Sequence, residues 1–262
     1  MTTIRITVST HRGKKREGNE DCVGLDGWSL RGTQPASVTI DVELDRVRTV
    51  VVCDGMGGHA GGAEASAMAC ELLTEPGAID GESPEQLTAA TRLRLQAVSD
   101  AINDCAQHQP ELAGMGCTVV GVVLDPSGRA LVFNVGDSRC YRLEGDYLSQ
   151  LSIDHRHLGG NVLHQAIGGG VRMILEPDFF DCRLPAGVGL VLCTDGLDDY
   201  ASASDIEALL VSAPPRLPTQ LTELALAGGG GDNVTVVQIE TIAAPSDTHA
   251  DHPVQGEKSW PR

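Results

Sequence analysis

The chain has 262 residues, with 36 Asp and Glu against 19 Lys and Arg, and a formal net charge of −17. A hydrophobic content of 41% excludes a wholly disordered chain, and with only three Phe, three Tyr and two Trp the core must be built from Val, Leu, Ile and Ala. The acidic balance leaves no basic field for nucleic acid or an anionic membrane, so neither partner is expected.

In chain order, Ile4 to Val8 alternates polar and apolar residues and predicts a strand, and Cys22 to Leu30 predicts a second. Arg31 to Ser37 has loop composition. Val47 to Cys53 is β-branched and apolar and ends in Asp-Gly, the pattern of a buried strand. Ala63 to Leu73 is Ala-rich and predicts a helix entered from a Gly-rich loop. Ser83 to His108 carries the strongest helix signal: Ser83 as cap, Pro84 at the first helical position and Gln86 to complete a capping box. Strands are then expected at Thr118 to Leu124, Ala130 to Val135, Cys140 to Leu143 and Tyr147 to Leu151. The short turns between them demand antiparallel pairing. Further strands are expected at Asp181 to Leu184, Val188 to Cys193 and Val234 to Glu240, and helices at Ser204 to Val211 and Thr219 to Ala227. Ala243 to Arg262 has no periodicity and is expected to be a flexible tail after a single domain over 1–242.

Met1 to Thr10 lacks the apolar core of a signal peptide, and no apolar run approaches a membrane span, so a cytoplasmic location is expected. The eight cysteines form no C-x-x-C pair, and several sit within apolar runs, which points to reduced, buried thiols.

Several segments place an acid at a strand end beside glycine or a turn: Asn19-Glu20-Asp21, Asp54-Gly55, Gly136-Asp137, Thr194-Asp195-Gly196 and Asp232-Asn233. Each alone is ordinary turn chemistry. Together they suit a hard cation, because Mg²⁺ and Mn²⁺ take carboxylate, carbonyl and water oxygens, and strand ends can converge acids that are distant in sequence.

These segments carry a resemblance. Arg16-Glu17-Gly18-Asn19-Glu20-Asp21, Asp54-Gly55-Met56-Gly57-Gly58-His59, Gly116-Cys117-Thr118, Gly136-Asp137-Ser138-Arg139, Thr194-Asp195-Gly196-Leu197 and Asp232-Asn233 occur in the order seen in type 2C metal-dependent protein Ser/Thr phosphatases, the PPM family. The chain resembles the compact bacterial branch of that family from about Ile4 to Glu240. The resemblance implies an α+β fold, a four-layer α-β-β-α sandwich with two central, mainly antiparallel sheets.

It also implies a site with two Mn²⁺ or Mg²⁺ ions and a third, weakly bound one. Asp54 would bridge two ions, Asp195 and Asp232 would hold one, and the Gly55 carbonyl and Glu20 (through water) the other. Asp137 with Asp195 would form the third position, and Arg16 would grip the substrate phosphate. The implied reaction is hydrolysis of phosphoserine and phosphothreonine by direct attack of a metal-bridging hydroxide, on phosphoprotein substrates of Ser/Thr kinases, by a monomer. Two alternatives are a catalytically weak phosphoprotein-binding regulator and a metal-dependent phosphatase of small phosphomonoesters.

Other residues have plainer expected roles. Asp21 supports its loop, Ser138 and Arg139 brace Asp137, and His59 makes a structural hydrogen bond. His155, His157 and His164 are exposed or capping. One departure from the family stands out. Asp154-His155 opens the family's flap, yet Asn161 to Gly168 follows after only Arg156 to Gly160. The flap is therefore largely missing, and a more open metal centre is expected.

Overall fold

The structure, a computed structural model, describes residues 2–32, 35–57, 61–157 and 162–242. The expected tail, 243–262, and His59 lie outside the described residues.

Two six-stranded sheets form the centre. One contains β1 (Thr3–His11), β4 (Ala36–Glu43), β10 (Arg139–Glu144), β11 (Tyr147–Gln150), β14 (Leu190–Cys193) and β15 (Val234–Ile242), in the order β11-β10-β14-β15-β1-β4. The other contains β2 (Cys22–Leu25), β3 (Trp28–Leu30), β5 (Arg48–Cys53), β8 (Val119–Leu124), β9 (Arg129–Val135) and β13 (Asp178–Arg183), in the order β13-β9-β8-β5-β2-β3. Every pairing between these strands is antiparallel. Helices α1 (Gly61–Thr74) and α2 (Pro84–His108) cover the outer face of the second sheet. The short α3 (Asp195–Asp198), α4 (Ala203–Ser212) and α5 (Leu217–Ala227) cover the first. This is the expected four-layer sandwich.

The layering explains the apolar runs. Both faces of the central strands are buried, so their side chains divide between two cores rather than between core and water. Val50 and Val52 of β5 face the other sheet, with Ile4, Ile6, Val120, Val122, Leu190, Leu192 and Ile239. Their neighbours Val51 and Cys53 face α1 and α2, among Leu73, Leu95, Ile102 and Phe133. A third core, of Val191, Val234, Val236, Ile206, Leu210 and Leu221, joins the first sheet to its own helices.

Ser83 caps α2 as expected and accepts the Gln86 amide N–H at 3.3 Å. The Gln86 side chain, however, accepts from the Glu82 N–H at 2.8 Å, one residue before the cap, so the box closes a step earlier than the spacing predicts. All eight cysteines are free, and six of them are buried.

Three differences from the sequence reading stand out. Cys22 to Leu30 is not one strand but a hairpin, because Asp26 and Gly27 both take positive φ, 47° and 76°, in a tight two-residue turn. Ala36–Glu43, beyond the loop-like stretch, is a full edge strand that alternates half-buried and exposed residues and pairs with β1 along its length. A small third sheet joins β6 (Gly55–Met56), β7 (Gly116–Cys117) and β12 (Ile167–Gly168). It ties the Asp54 loop to the segment that follows the shortened flap. The described residues between Asp154 and Glu176 contain no helix, in keeping with a truncated flap. Among the described residues no helix is long and apolar enough to cross a membrane.

Candidate metal centre

Arg16, Glu20, Asp54, Gly55, Asp137, Asp195 and Asp232 all line one cavity of about 880 Å³ at one end of the two sheets. Each acid leaves a strand end or the turn beside one. Asp54 follows β5, Asp137 follows β9, Asp195 follows β14 and starts α3, and Asp232 precedes β15. The topology thus brings acids from across the chain onto one rim.

Local hydrogen bonds fix each acid. The Asp54 N–H donates to the Thr118 hydroxyl at 3.2 Å, and the Thr118 N–H returns to the Asp54 carbonyl at 2.9 Å. Gly55 has no room for a side chain. A Cβ there would lie 2.2 Å from the Gly62 carbonyl oxygen and 2.7 Å from that of Glu20, so only glycine lets the backbone pass between α1 and the Glu20 loop. Asn233 clamps the approach of Arg16 and Glu20. Its amide donates to the Arg12 and Gly18 carbonyls, each at 2.9 Å, and its side-chain oxygen accepts the Glu20 N–H at 2.8 Å. This gives the Asn of the Asp232-Asn233 pair a physical role: it joins the first loop of the chain to the last.

Asp21 supports its loop, as expected. It is buried, and its Oδ2 accepts the hydroxyls of Thr235 at 2.7 Å and Thr194 at 3.0 Å. Arg139 departs from its expected role as a brace of Asp137. Its guanidinium pairs with Asp154 at 2.6 Å and reaches Asp198 at 3.2 Å, while Ser138 bonds to the Thr118 hydroxyl at 2.6 Å. The two residues tie the neighbouring loops together.

His155 also departs from expectation, being buried rather than exposed. Its Nδ1 accepts the Gly136 N–H at 3.1 Å, which puts its proton on Nε2, 2.8 Å from Asp178. His155 thereby pins the turn that carries Asp137. His157 and His164 are exposed, as expected.

The electrostatics would suit a bound cation. Burial, reinforced by the charges of Asp21, Asp195 and Asp232, pushes the Asp54 carboxyl well above the usual range. Burial first, then Asp137, raises Asp195 to about 6, and burial raises Asp21 to about 7. Asp137 is also raised by burial, against the opposing pull of Arg156. The buried oxygens Asp195 Oδ1 and Asp21 Oδ1 have no hydrogen-bond partner among the described residues. Crowded, partly unpartnered acids with a glycine carbonyl beside them form an all-oxygen donor set, which fits Mn²⁺ or Mg²⁺.

Two arginines meet these acids. Arg16, on the exposed rim, donates from Nη2 to Asp232 at 2.6 Å. Arg156, absent from the expected site, reaches Asp137 from Nε at 2.7 Å and Asp195 from Nη2 at 3.4 Å. Its only sequence signal is its place directly after Asp154-His155, because the acids it meets are distant in the chain.

The family model for protein phosphatase 2C matches residues 38–222. The serine/threonine phosphatase stp of Listeria monocytogenes is 31% identical over 254 residues, covering 88% of this chain and 93% of its own. The serine/threonine protein phosphatase PstP of Mycobacterium tuberculosis is 33% identical over 91% of this chain, which spans 45% of PstP. Among solved structures, the Streptococcus agalactiae serine/threonine phosphatase superposes with a TM-score of 0.76 at 25% identity, covering 90% of this chain and 99% of that one. PppA of Pseudomonas aeruginosa gives 0.71 at 28% identity, covering 91% and 98%. The chain belongs to the protein phosphatase 2C family.

Proposed function

We propose that this cavity hydrolyses phosphoserine and phosphothreonine in proteins with the help of divalent metal. The chain is a metal-dependent protein serine/threonine phosphatase, and its substrates are phosphoproteins. The observation that carries this reading is the convergence of Glu20, Asp54, Asp137, Asp195 and Asp232 on one cavity, with Asp195 Oδ1 buried and without a partner among the described residues.

In this reading Asp54 would serve both ions, Asp195 and Asp232 one of them, and the Gly55 carbonyl and Glu20 the other. Bound Mn²⁺ or Mg²⁺ supplies charge neutralisation and a water acidic enough to act near neutral pH. The chain supplies the rest. Thr118 and the small sheet hold Asp54 and Gly55 in place. Asn233 holds the Arg16 loop at the cavity mouth. Arg16, whose planar fork suits two phosphate oxygens at once, exchanges Asp232 for the substrate. Asp21 remains a loop support.

The proposal extends to the whole chain. Residues 1–242 are the catalytic domain, and 243–262 are an appended tail. The protein acts as a cytoplasmic monomer on substrates of Ser/Thr kinases, without nucleic-acid or membrane partners.

The test is hydrolysis of a phosphothreonine peptide with Mn²⁺ and with EDTA, set beside a small phosphomonoester. Metal-dependent turnover with a clear preference for the peptide is expected. Peptide binding without turnover would favour a regulator, and a preference for the small ester would favour a small-molecule phosphatase. Arg16→Ala is expected to raise KM for the peptide about 10- to 100-fold, on the scale of one lost charge-assisted bidentate contact. An unchanged KM would remove Arg16 from the phosphate site.

A further inference from the structure

We infer that Arg156 is a built-in cation that takes the Asp137–Asp195 position, so that this chain carries two metal ions and its own guanidinium in place of a third. The inference rests on the metal reading above.

The geometry is specific. Arg156 Nε donates to Asp137 Oδ2 at 2.7 Å, Nη2 to Asp195 Oδ2 at 3.4 Å, and Nη1 lies 3.8 Å from Asp199 Oδ1. One planar group therefore faces three carboxylates. The pair is also sheltered, because the Asp137 side chain is 7% exposed and that of Arg156 19%. The guanidinium stands between Asp137 Oδ2 and Asp195 Oδ2, and a dication cannot take both oxygens while it is there. A guanidinium stays protonated throughout the accessible pH range, so this charge is present whatever the metal concentration.

The backbone holds Arg156 there. The preceding His155 is locked on both ring nitrogens, by Gly136 and Asp178, and its N–H donates to the Gly136 carbonyl at 2.9 Å. Arg156 itself forms an antiparallel bridge with Leu163. Gly136 is the residue before Asp137, so one set of contacts positions both the arginine and its carboxylate. A short flap with its own cation removes the need for an exchangeable ion at that corner.

The test is manganese stoichiometry on EDTA-stripped full-length chain, by equilibrium dialysis and elemental analysis. Wild type is expected to bind about two Mn²⁺. Arg156→Ala is expected to gain a third, weaker one, which Arg156→Ala/Asp137→Asn loses again. Three ions on wild type, or no gain in a folded Arg156→Ala, would overturn the inference. Wild type that binds no Mn²⁺ would overturn the metal reading itself. Should Arg156→Ala not fold, Mn²⁺-soaked wild-type crystals decide. A guanidinium on Asp137 with no anomalous peak there upholds the inference, and a peak there refutes it.

Discussion

Asp54→Asn is expected to lower kcat/KM for a phosphothreonine peptide by at least about a thousandfold, and to raise the melting temperature of the EDTA-treated protein by a few degrees. The two effects have one cause. Burial, with the charges of Asp21, Asp195 and Asp232, holds the Asp54 carboxyl well above the usual range, so its charged form is disfavoured there without a cation. Asparagine keeps the shape and can donate to Asp195, but it removes the negative charge that the proposed metal would need and that repels its neighbours. Loss of activity with a gain in metal-free stability is the signature of a ligand retained for function. A fall in both would mean that Asp54 is mainly structural. Circular dichroism melts in EDTA, run beside peptide kinetics in Mn²⁺, read the two effects separately.

Without metal, stability is expected to fall as pH rises from about 4 to 7, and saturating Mn²⁺ is expected to reverse that fall. Asp21 is raised to about 7 and Asp195 to about 6, both first by burial. In the unfolded chain the same groups titrate near 3.9. The native state therefore holds more protons than the unfolded state across that window. Its stability from these groups is complete below about 4 and is lost as pH climbs through the folded values. The loss is on the order of several kcal/mol, and the shared charge of the cluster makes it less than the sum of separate shifts. In the proposed site metal would bind the deprotonated Asp195, so its affinity should increase over the same range. The melting temperature in Mn²⁺ minus that in EDTA should thus widen from pH 5 to pH 7.5. A gap that stays constant or narrows would show that Asp195 does not take up the ion.

Much of the cavity's acidic lining could be read from sequence because each acid sits in a local turn. Asp54-Gly55, Gly136-Asp137, Thr194-Asp195-Gly196 and Asp232-Asn233 each pair an acid with the turn that ends or begins a strand. A strand end at the rim of a sandwich has few places to point other than the shared cavity. The apolar runs around Val50 and Leu190 likewise announce strands buried on both faces.

What was not legible depends on partners distant in sequence. His155 looks like an ordinary polar residue until Gly136 and Asp178 close around it. Arg156 is one of many charged residues until Asp137 and Asp195 meet it. Arg139 follows Asp137 directly, yet its guanidinium turns to Asp154 and Asp198. The paired pieces of the small sheet span two residues each, too few to show any period. Ala36–Glu43 does alternate, but as an edge strand it buries only part of one face, and its weak apolar signal follows directly on a loop-like stretch.

The most direct test of the metal assignment is the anomalous scattering of manganese in crystals of the wild-type chain. Two peaks that share Asp54, one against Asp195 and Asp232 and the other against the Gly55 carbonyl, are predicted. Manganese bound elsewhere, with the cavity empty and the enzyme active, would contradict it.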